Sequence, residues 1–199
     1  ASVTNGAFFN SSGKYHGAYS FDGVNDYLNI KYSNSINTSE NMTVMAWAKF
    51  NRLPETGPGK NPRIVQMGTG TGPTFGYAMS IVTSTNITGF TVRMTGVDHN
   101  VLSNTTITID KWYHIVGVRK GTQGEIYING VPSGNLTIPW RIIDIQNTEL
   151  IIGESPGNTD GALNGLIDEV MIFNRSLTAA EIQQVYYTNL YKYNQTQWY

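Results

Sequence analysis

The sequence predicts an all-β protein, a sandwich or barrel of short strands joined by one helix near the C-terminus. Three observations predict it. Apolar or alternating runs recur at roughly 8–12-residue spacing along most of the 199-residue chain, punctuated by Gly, Asn and Pro. Charged residues make up only 14% of the chain, against roughly 25% in an average globular protein, so the outer faces of the strands are polar without being charged. One segment, beginning at Thr178, combines a helix start signal with helical apolar spacing.

The elements follow in order. Residues 17–22 (GAYSFD) and 26–31 (DYLNIK) are strands flanking the turn Gly23-Val24-Asn25. Residues 43–50 (TVMAWAKF) alternate, with Val44, Ala46 and Ala48 on one face and Met45, Trp47 and Lys49 on the other. Residues 63–67, 76–82 and 89–94 follow as strands, and residues 112–119 (WYHIVGVR) alternate again. Residues 125–129 lead into Asn129-Gly130, the strongest short hairpin signal in the chain. Residues 149–152 and 165–173 (GLIDEVMIF) complete the set. In Thr178-Ala179-Ala180-Glu181 the threonine hydroxyl can accept from the Glu181 amide while Glu181 reaches back. Ile182, Val185 and Tyr186 then recur at helical spacing. This helix is expected to be a packed lid. Residues 53–62 (LPETGPGKNP) are expected to form a mobile surface loop, too short to separate domains.

Composition excludes several classes. A formal charge of −1 leaves no basic footprint for nucleic acid or an anionic membrane. Apolar runs are only a few residues long, so none spans a bilayer. With no cysteine there is neither a disulfide scaffold nor a cysteine-ligated zinc. The first ten residues lack the basic start and apolar stretch of a signal peptide. The chain is therefore cytosolic, or a mature or excised piece of a secreted protein. Asn-x-Ser/Thr sequons favour the second reading. They occur at Asn10, Asn37, Asn41, Asn86, Asn104, Asn135, Asn174 and Asn194, where chance would give about four. Glycosylation at these positions and an extracellular or cell-surface location are the expectation.

Three segments carry a family resemblance: residues 18–28 (AYSFDGVNDYL), 112–130 (WYHIVGVRKGTQGEIYING) and 165–182 (GLIDEVMIFNRSLTAAEI). Their order and spacing resemble the laminin-G-like, concanavalin-A-like lectin/glucanase superfamily, in the group common on bacterial and archaeal cell-surface proteins. The resemblance implies a two-sheet antiparallel jelly-roll sandwich with one short C-terminal helix. On this reading residues 1–187 form the domain and residues 188–199 an aromatic tail. It implies non-catalytic binding of glycans or partner proteins, and calcium in some members. Phe21, Tyr27, Trp47, Trp112, Ile115, Ile126, Ile128, Ile167 and Ile172 fall where the strands would point inward, so Trp47 and Trp112 read as core before sugar platforms. Members of the family usually carry a strand before the equivalent of Gly6, where this chain has only five residues. A missing strand would leave an open edge, and the tail, with strand-like character, could fill it in a neighbour. A structural subunit of an extracellular filament or surface layer is thus the alternative function.

Candidate sites follow from donor chemistry. Calcium takes six to eight oxygens, and Asp22-Gly23-Val24-Asn25-Asp26 offers several in a tight turn. In the resembling family an Asp on the late strand shares calcium with the early segment, which adds Asp168. The expected metal set is therefore Asp22, Asn25, Asp26 and Asp168. The alternative is that Asp22 and Asp26 accept backbone N–H groups of the turn. Glu154, Asn158 and Asp160 form a second, weaker cation candidate. For ligand binding, Trp140, His99 and Asn100 are the candidates, with residues 53–62, 99–106 and 139–144 as surfaces. Glycoside hydrolysis needs two carboxyls facing one bond. No Glu-x-Asp-x-Glu occurs, and adjacent Asp168 and Glu169 on a strand face opposite ways. His16, His99 and His114 show no metal spacing, there is no Gly-x-Ser-x-Gly, and Gly68–Gly72 lacks the Gly-Lys-Ser/Thr ending of a phosphate loop. No catalytic activity is expected.

Overall fold

The structure is a computed structural model. It describes residues 1–33, 36, 40–53, 61–68, 76–94, 97–139, 148–155 and 161–194, with helix side chains described as far as Thr188. The elements are β1 (Ser2–Thr4), β2 (Phe8–Asn10), β3 (Ala18–Asp22), β4 (Tyr27–Ile30), β5 (Asn41–Phe50), β6 (Arg63–Met67), β7 (Tyr77–Val82), β8 (Ile87–Met94), β9 (Val97–Thr106), β10 (Trp112–Lys120), β11 (Gln123–Ile128), β12 (Val131–Thr137), β13 (Leu150–Ile152), β14 (Asn164–Phe173) and α1 (Ala179–Asn194). Two seven-stranded sheets form, in the orders β1-β4-β13-β6-β7-β8-β9 and β12-β11-β10-β5-β14-β3-β2. Strand pairs are antiparallel throughout, as the predicted jelly-roll sandwich requires.

Alternation explains the layering. Val44, Ala46 and Ala48 of β5 face the first sheet, as do Ile115 of β10 and Ile126 and Ile128 of β11. There they meet Met67, Tyr77, Met79, Ile81, Phe90 and Val92 in the main core. The opposite face of the second sheet carries Met45, Val116, Val118 and Tyr127, which pack against Leu177 and Ile182 in a second cluster under α1. Trp47 belongs to this outer face and not to the space between the sheets. Its ring stacks on Tyr186 of the helix at 5.6 Å and 20°. The helix begins as its sequence dictates: the Thr178 amide donates to Glu181 Oε2 at 2.8 Å, and the Glu181 amide donates to Thr178 Oγ1 at 3.3 Å. Arg175 joins at 2.8 Å and, ahead of the cap bonds, holds the Glu181 carboxyl at about 2.

The two long sides of the sandwich differ. On one, β9 of the first sheet meets β12 of the second. The Asn104 amide donates to Ser133 Oγ at 3.2 Å, and a Cβ on Gly134 would stand 2.0 Å from the Leu102 carbonyl oxygen, so only glycine permits this approach. On the other, three-residue β1 and β2 are the edges of the two sheets. A strand does precede Gly6, so the first sheet is not left open at this point: residues 2–4 pair with β4. Strand-like character in the tail is not seen as far as Asn194, because α1 continues to that residue. No Gly or Pro follows Thr178 to end the helix.

Candidate binding face and acidic turn

Because α1 covers the outer face of the second sheet, the outer face of the first is the one large sheet surface without a helix among the described residues. The ladder places seven residues in one row across it: Ser2, Asn29, Ile151, Gln66, Ala78, Thr91 and Asn100. Five of the seven carry amides or hydroxyls. Thr91 Oγ1 donates to Asn100 Oδ1 at 2.6 Å, which leaves the exposed Asn100 amide nitrogen as a donor. Gln66 is fully buried. Its Nε2 donates to the Gly68 carbonyl at 2.8 Å and its Oε1 has no partner. Asn29 Nδ2 donates to Glu149 at 2.6 Å, and Asn29 Oδ1 is likewise unpartnered. Beside Asn100, Arg93 and Asp98 pair at 3.3 Å.

Asn100 thus stands on this face, whereas His99, one residue earlier on β9, points to the opposite side. The two expected ligand residues do not converge. Trp140 lies outside the described residues, as do Asn158 and Asp160 and most of residues 53–62 and 139–144. Gln66 and Thr91 were not anticipated, although their alternation with apolar neighbours on β6 and β8 marks them as outward-facing.

The acidic turn is built as the turn chemistry predicts. Asp22 Oδ1 accepts from the Val24 amide at 2.8 Å, and Asp26 Oδ2 accepts from the Asp22 amide at 3.0 Å. Asn25 contributes its carbonyl, which accepts from Asn5 Nδ2 at 3.0 Å. Asp168 does not join them. Asn164 is the β14 residue opposite Asp22, and Asp168 lies four residues further, roughly 13 Å along the strand. Its carboxylate accepts amide N–H groups of Tyr15 (3.0 Å) and Glu169 (2.8 Å), and that of Lys14. With its oxygens occupied by donors, Asp168 does not fit as a cation ligand, and the expected set Asp22, Asn25, Asp26 and Asp168 is not assembled. The residue that does approach the turn is Glu154. Burial raises its carboxyl, and the charges of Asp26 and Asp22 raise it further. No group of three or more His, Asp or Glu side chains among the described residues is arranged to hold a metal ion.

The sequon asparagines are spread over the surface. Asn41, Asn104, Asn135 and Asn174 are exposed. Asn10 is half-buried and accepts the Ser12 amide at 2.8 Å, and Asn86 sits half-buried in a turn with φ of 53°. Asn37 and the side chain of Asn194 lie outside the described residues. Asn104 and Asn135 line one groove of about 430 Å³ with Gln123, Glu125 and Tyr127, where the Tyr127 hydroxyl donates to Glu125 at 2.6 Å. No described helix is long and apolar enough to cross a membrane.

Two antiparallel sheets, a helix closing one outer face and a polar row across the other define a jelly-roll sandwich of the lectin type. The chain belongs to the concanavalin A-like lectin/glucanases superfamily, whose laminin-G family model matches residues 22–183. No curated protein matches the chain significantly. Among solved structures, domain 4 of AbnA, a GH43 extracellular arabinanase from Geobacillus stearothermophilus, in complex with arabinotriose, is similar at 18% identity and TM-score 0.70, covering 91% of this chain and 81% of that one. The binding domain of botulinum neurotoxin serotype G is similar at 19% identity and TM-score 0.71, covering 94% of this chain and 46% of that one. A structure from work on botulinum neurotoxin type C, whose cell entry depends on interaction with two ganglioside molecules, is similar at 14% identity and TM-score 0.69, covering 94% and 46%. The chain spans about half the length of these toxin structures.

Proposed function

We propose that this chain is a non-catalytic, extracellular glycan-recognition module whose ligand meets the β9 end of the outer face of the first sheet, at Asn100. One observation carries the reading. At the β9 end of the row the exposed Asn100 holds its amide nitrogen ready as a donor through its bond with Thr91, beside the paired Arg93 and Asp98, whereas Ile151, Gln66, Ala78 and Thr91 in the middle of the row are buried. A sugar hydroxyl both donates and accepts, so an exposed amide beside a mutually compensated ion pair complements it. The superfamily, the arabinotriose complex and the ganglioside-dependent toxin support the same ligand class. The eight sequons support the location.

A glycan array that includes arabino-oligosaccharides and ganglioside headgroups tests the reading. Binding of at least one glycan is expected, without release of new reducing ends. Replacing Asn100 by Ala should weaken that binding about tenfold, the cost of one hydrogen bond at about 1.4 kcal/mol. An array with no bound glycan, or a variant binding like the parent, refutes it. Self-association is a second reading, favoured by the edges: β1 and β2 carry no charged residue, and Val3, Phe8 and Phe9 are 51%, 58% and 64% exposed. Sedimentation showing a monomer at high concentration removes it.

A further inference from the structure

Where β9 meets β12, the two sheets leave a polar groove of about 430 Å³, within the size range of small-ligand sites. The strand register builds it. Gln123, Glu125 and Tyr127 alternate onto the outer face of β11, and Asn135 of β12 stands directly opposite Glu125. A register shift at Ile126/Tyr127 puts one extra residue, Ser133, into β12. Its hydroxyl accepts the Asn104 amide at 3.2 Å and lies 2.9 Å from Thr105 Oγ1, which pins β9 beside the β12 edge and brings the exposed Asn104 to the groove. The chemistry centres on Glu125. The buried Tyr127 hydroxyl donates to Glu125 Oε2 at 2.6 Å and holds the carboxylate in place. Burial, and after it this bond, keep the Tyr127 phenol protonated well above its ordinary range, so the donor persists. Glu125 is half-buried and makes no ion pair and no other hydrogen bond among the described residues, so its Oε1 is left as an acceptor in the groove. The side-chain amides of Asn104 and Asn135 are likewise unused among the described residues, and Gln123 Nε2 meets Thr137 Oγ1 only at 3.4 Å.

We propose that this groove is a second saccharide site, separate from Asn100, in which adjacent sugar hydroxyls donate to the Glu125 carboxylate and the flanking amides of Asn104 and Asn135 bind the neighbouring hydroxyls. Its ligand class rests on the glycan reading, and its place rests on the groove alone. Hydroxyls donating to a carboxylate form charge-assisted bonds, roughly twice as strong as neutral ones. Carboxamides both donate and accept, which matches the hydroxyls to either side. Because β9 lies against the β12 edge, an added peptide strand has no room to pair there, and recognition falls to side chains. Asn100 and Asn104 are four residues apart on β9, a distance of at most roughly 13 Å, so one oligosaccharide of several units can reach both sites. Asn104 and Asn135 are also sequon residues, and a glycan attached to either would fill the same groove with the same chemistry.

The test uses the whole chain, produced without N-glycans. The probes are the methyl glycosides of glucose, galactose and mannose, together with arabinotriose, each titrated at millimolar concentration while amide resonances are followed by NMR. At least one probe is expected to shift Glu125, Tyr127 and Asn135 together. Glu125→Gln still offers Tyr127 an acceptor, so its melting curve should match the parent's. It turns a charge-assisted bond into a neutral one and should weaken probe binding about tenfold. Asn100→Ala should leave these shifts unchanged. A chain glycosylated at Asn104 or Asn135 should no longer take the free probe, which separates an attached glycan from an external one. Three results overturn the proposal. They are no shift of these residues by any probe, a Glu125→Gln variant that binds like the parent, and a glycosylated chain that binds the probe as tightly as the bare one. Binding that survives Glu125→Gln and is lost in Asn100→Ala removes the groove and keeps the sheet face. The opposite pattern keeps the groove and removes the sheet face.

Discussion

Acidification perturbs one imidazole in this fold selectively. His114 is 1% exposed on the outer face of the second sheet. Its ring lies 5.2 Å from Trp47 and 5.8 Å from Tyr186, and its Nδ1 has no partner. Burial alone lowers its pKa from 6.5 to about 4. The sign follows from proton uptake. Between these values the unfolded chain binds a proton that the folded chain refuses, so stability is full above pH 6.5 and falls as pH drops toward 4. A window of about 2.5 units at about 1.36 kcal/mol each gives a loss of about 3 kcal/mol, a large share of the roughly 5–15 kcal/mol that holds a domain together. Carboxylates also titrate in acid, so the readout is a difference. Urea unfolding at pH 7.5, 6.5, 5.5 and 4.5 is compared between the parent and His114→Gln, with the buffer free of calcium. The parent should lose about 3 kcal/mol more than the variant, most of it between pH 6 and 4.5. Parallel stability curves, or an imidazole resonance of His114 titrating near 6.5, would refute the reasoning.

The remaining predictions concern packing and capping. Gly134→Ala places a methyl 2.0 Å from the Leu102 carbonyl where β9 meets β12, and should cost about 1–3 kcal/mol in chemical denaturation. An unchanged midpoint would show that the two strands part easily. Thr178→Ala removes the hydroxyl of the capping box and should cost about 1 kcal/mol, read as a fall of roughly 2–4 °C in Tm. Trp47 lies under this helix, so tryptophan emission should shift to the red if the helix also detaches.

Much of the fold was legible because alternation, turns and caps are local signals. The faces of β5 follow residue by residue from TVMAWAKF, and Asn129 and Gly130 take the positive φ values of 53° and 78° that an Asn-Gly hairpin turn needs. The strands that escaped notice are edge or near-edge strands with polar sequences. β9 reads VDHNVLSNTT and β12 reads VPSGNLT, and neither has the apolar run that advertises burial. β1 and β2 are three residues each, too short for any periodicity. Trp47 was assigned to the core but not to the correct side, because alternation says that two faces differ without saying which one a helix will cover. The acidic turn was visible in residues 22–26. Its partner was not, since Glu154 reaches it through tertiary packing of the segment after β13, while Asp168, which the family resemblance favoured, is occupied by the amides of Lys14, Tyr15 and Glu169.

The low charge of the chain acquires a structural meaning from where its few charges sit. Arg93 and Asp98 neutralise one another beside the polar row, and Lys49 and Asp110 stand 3.9 Å apart. Arg175 and Glu181 are committed to the helix start. The exposed end of the sheet face thus offers the Asn100 amide beside the Arg93–Asp98 pair, and amide hydrogen bonds discriminate by geometry and are insensitive to salt, in contrast to charged recognition. Glycan binding on this face should accordingly persist at high ionic strength. The acidic turn is the exception, a place where negative charge is concentrated and buried without a described counter-charge.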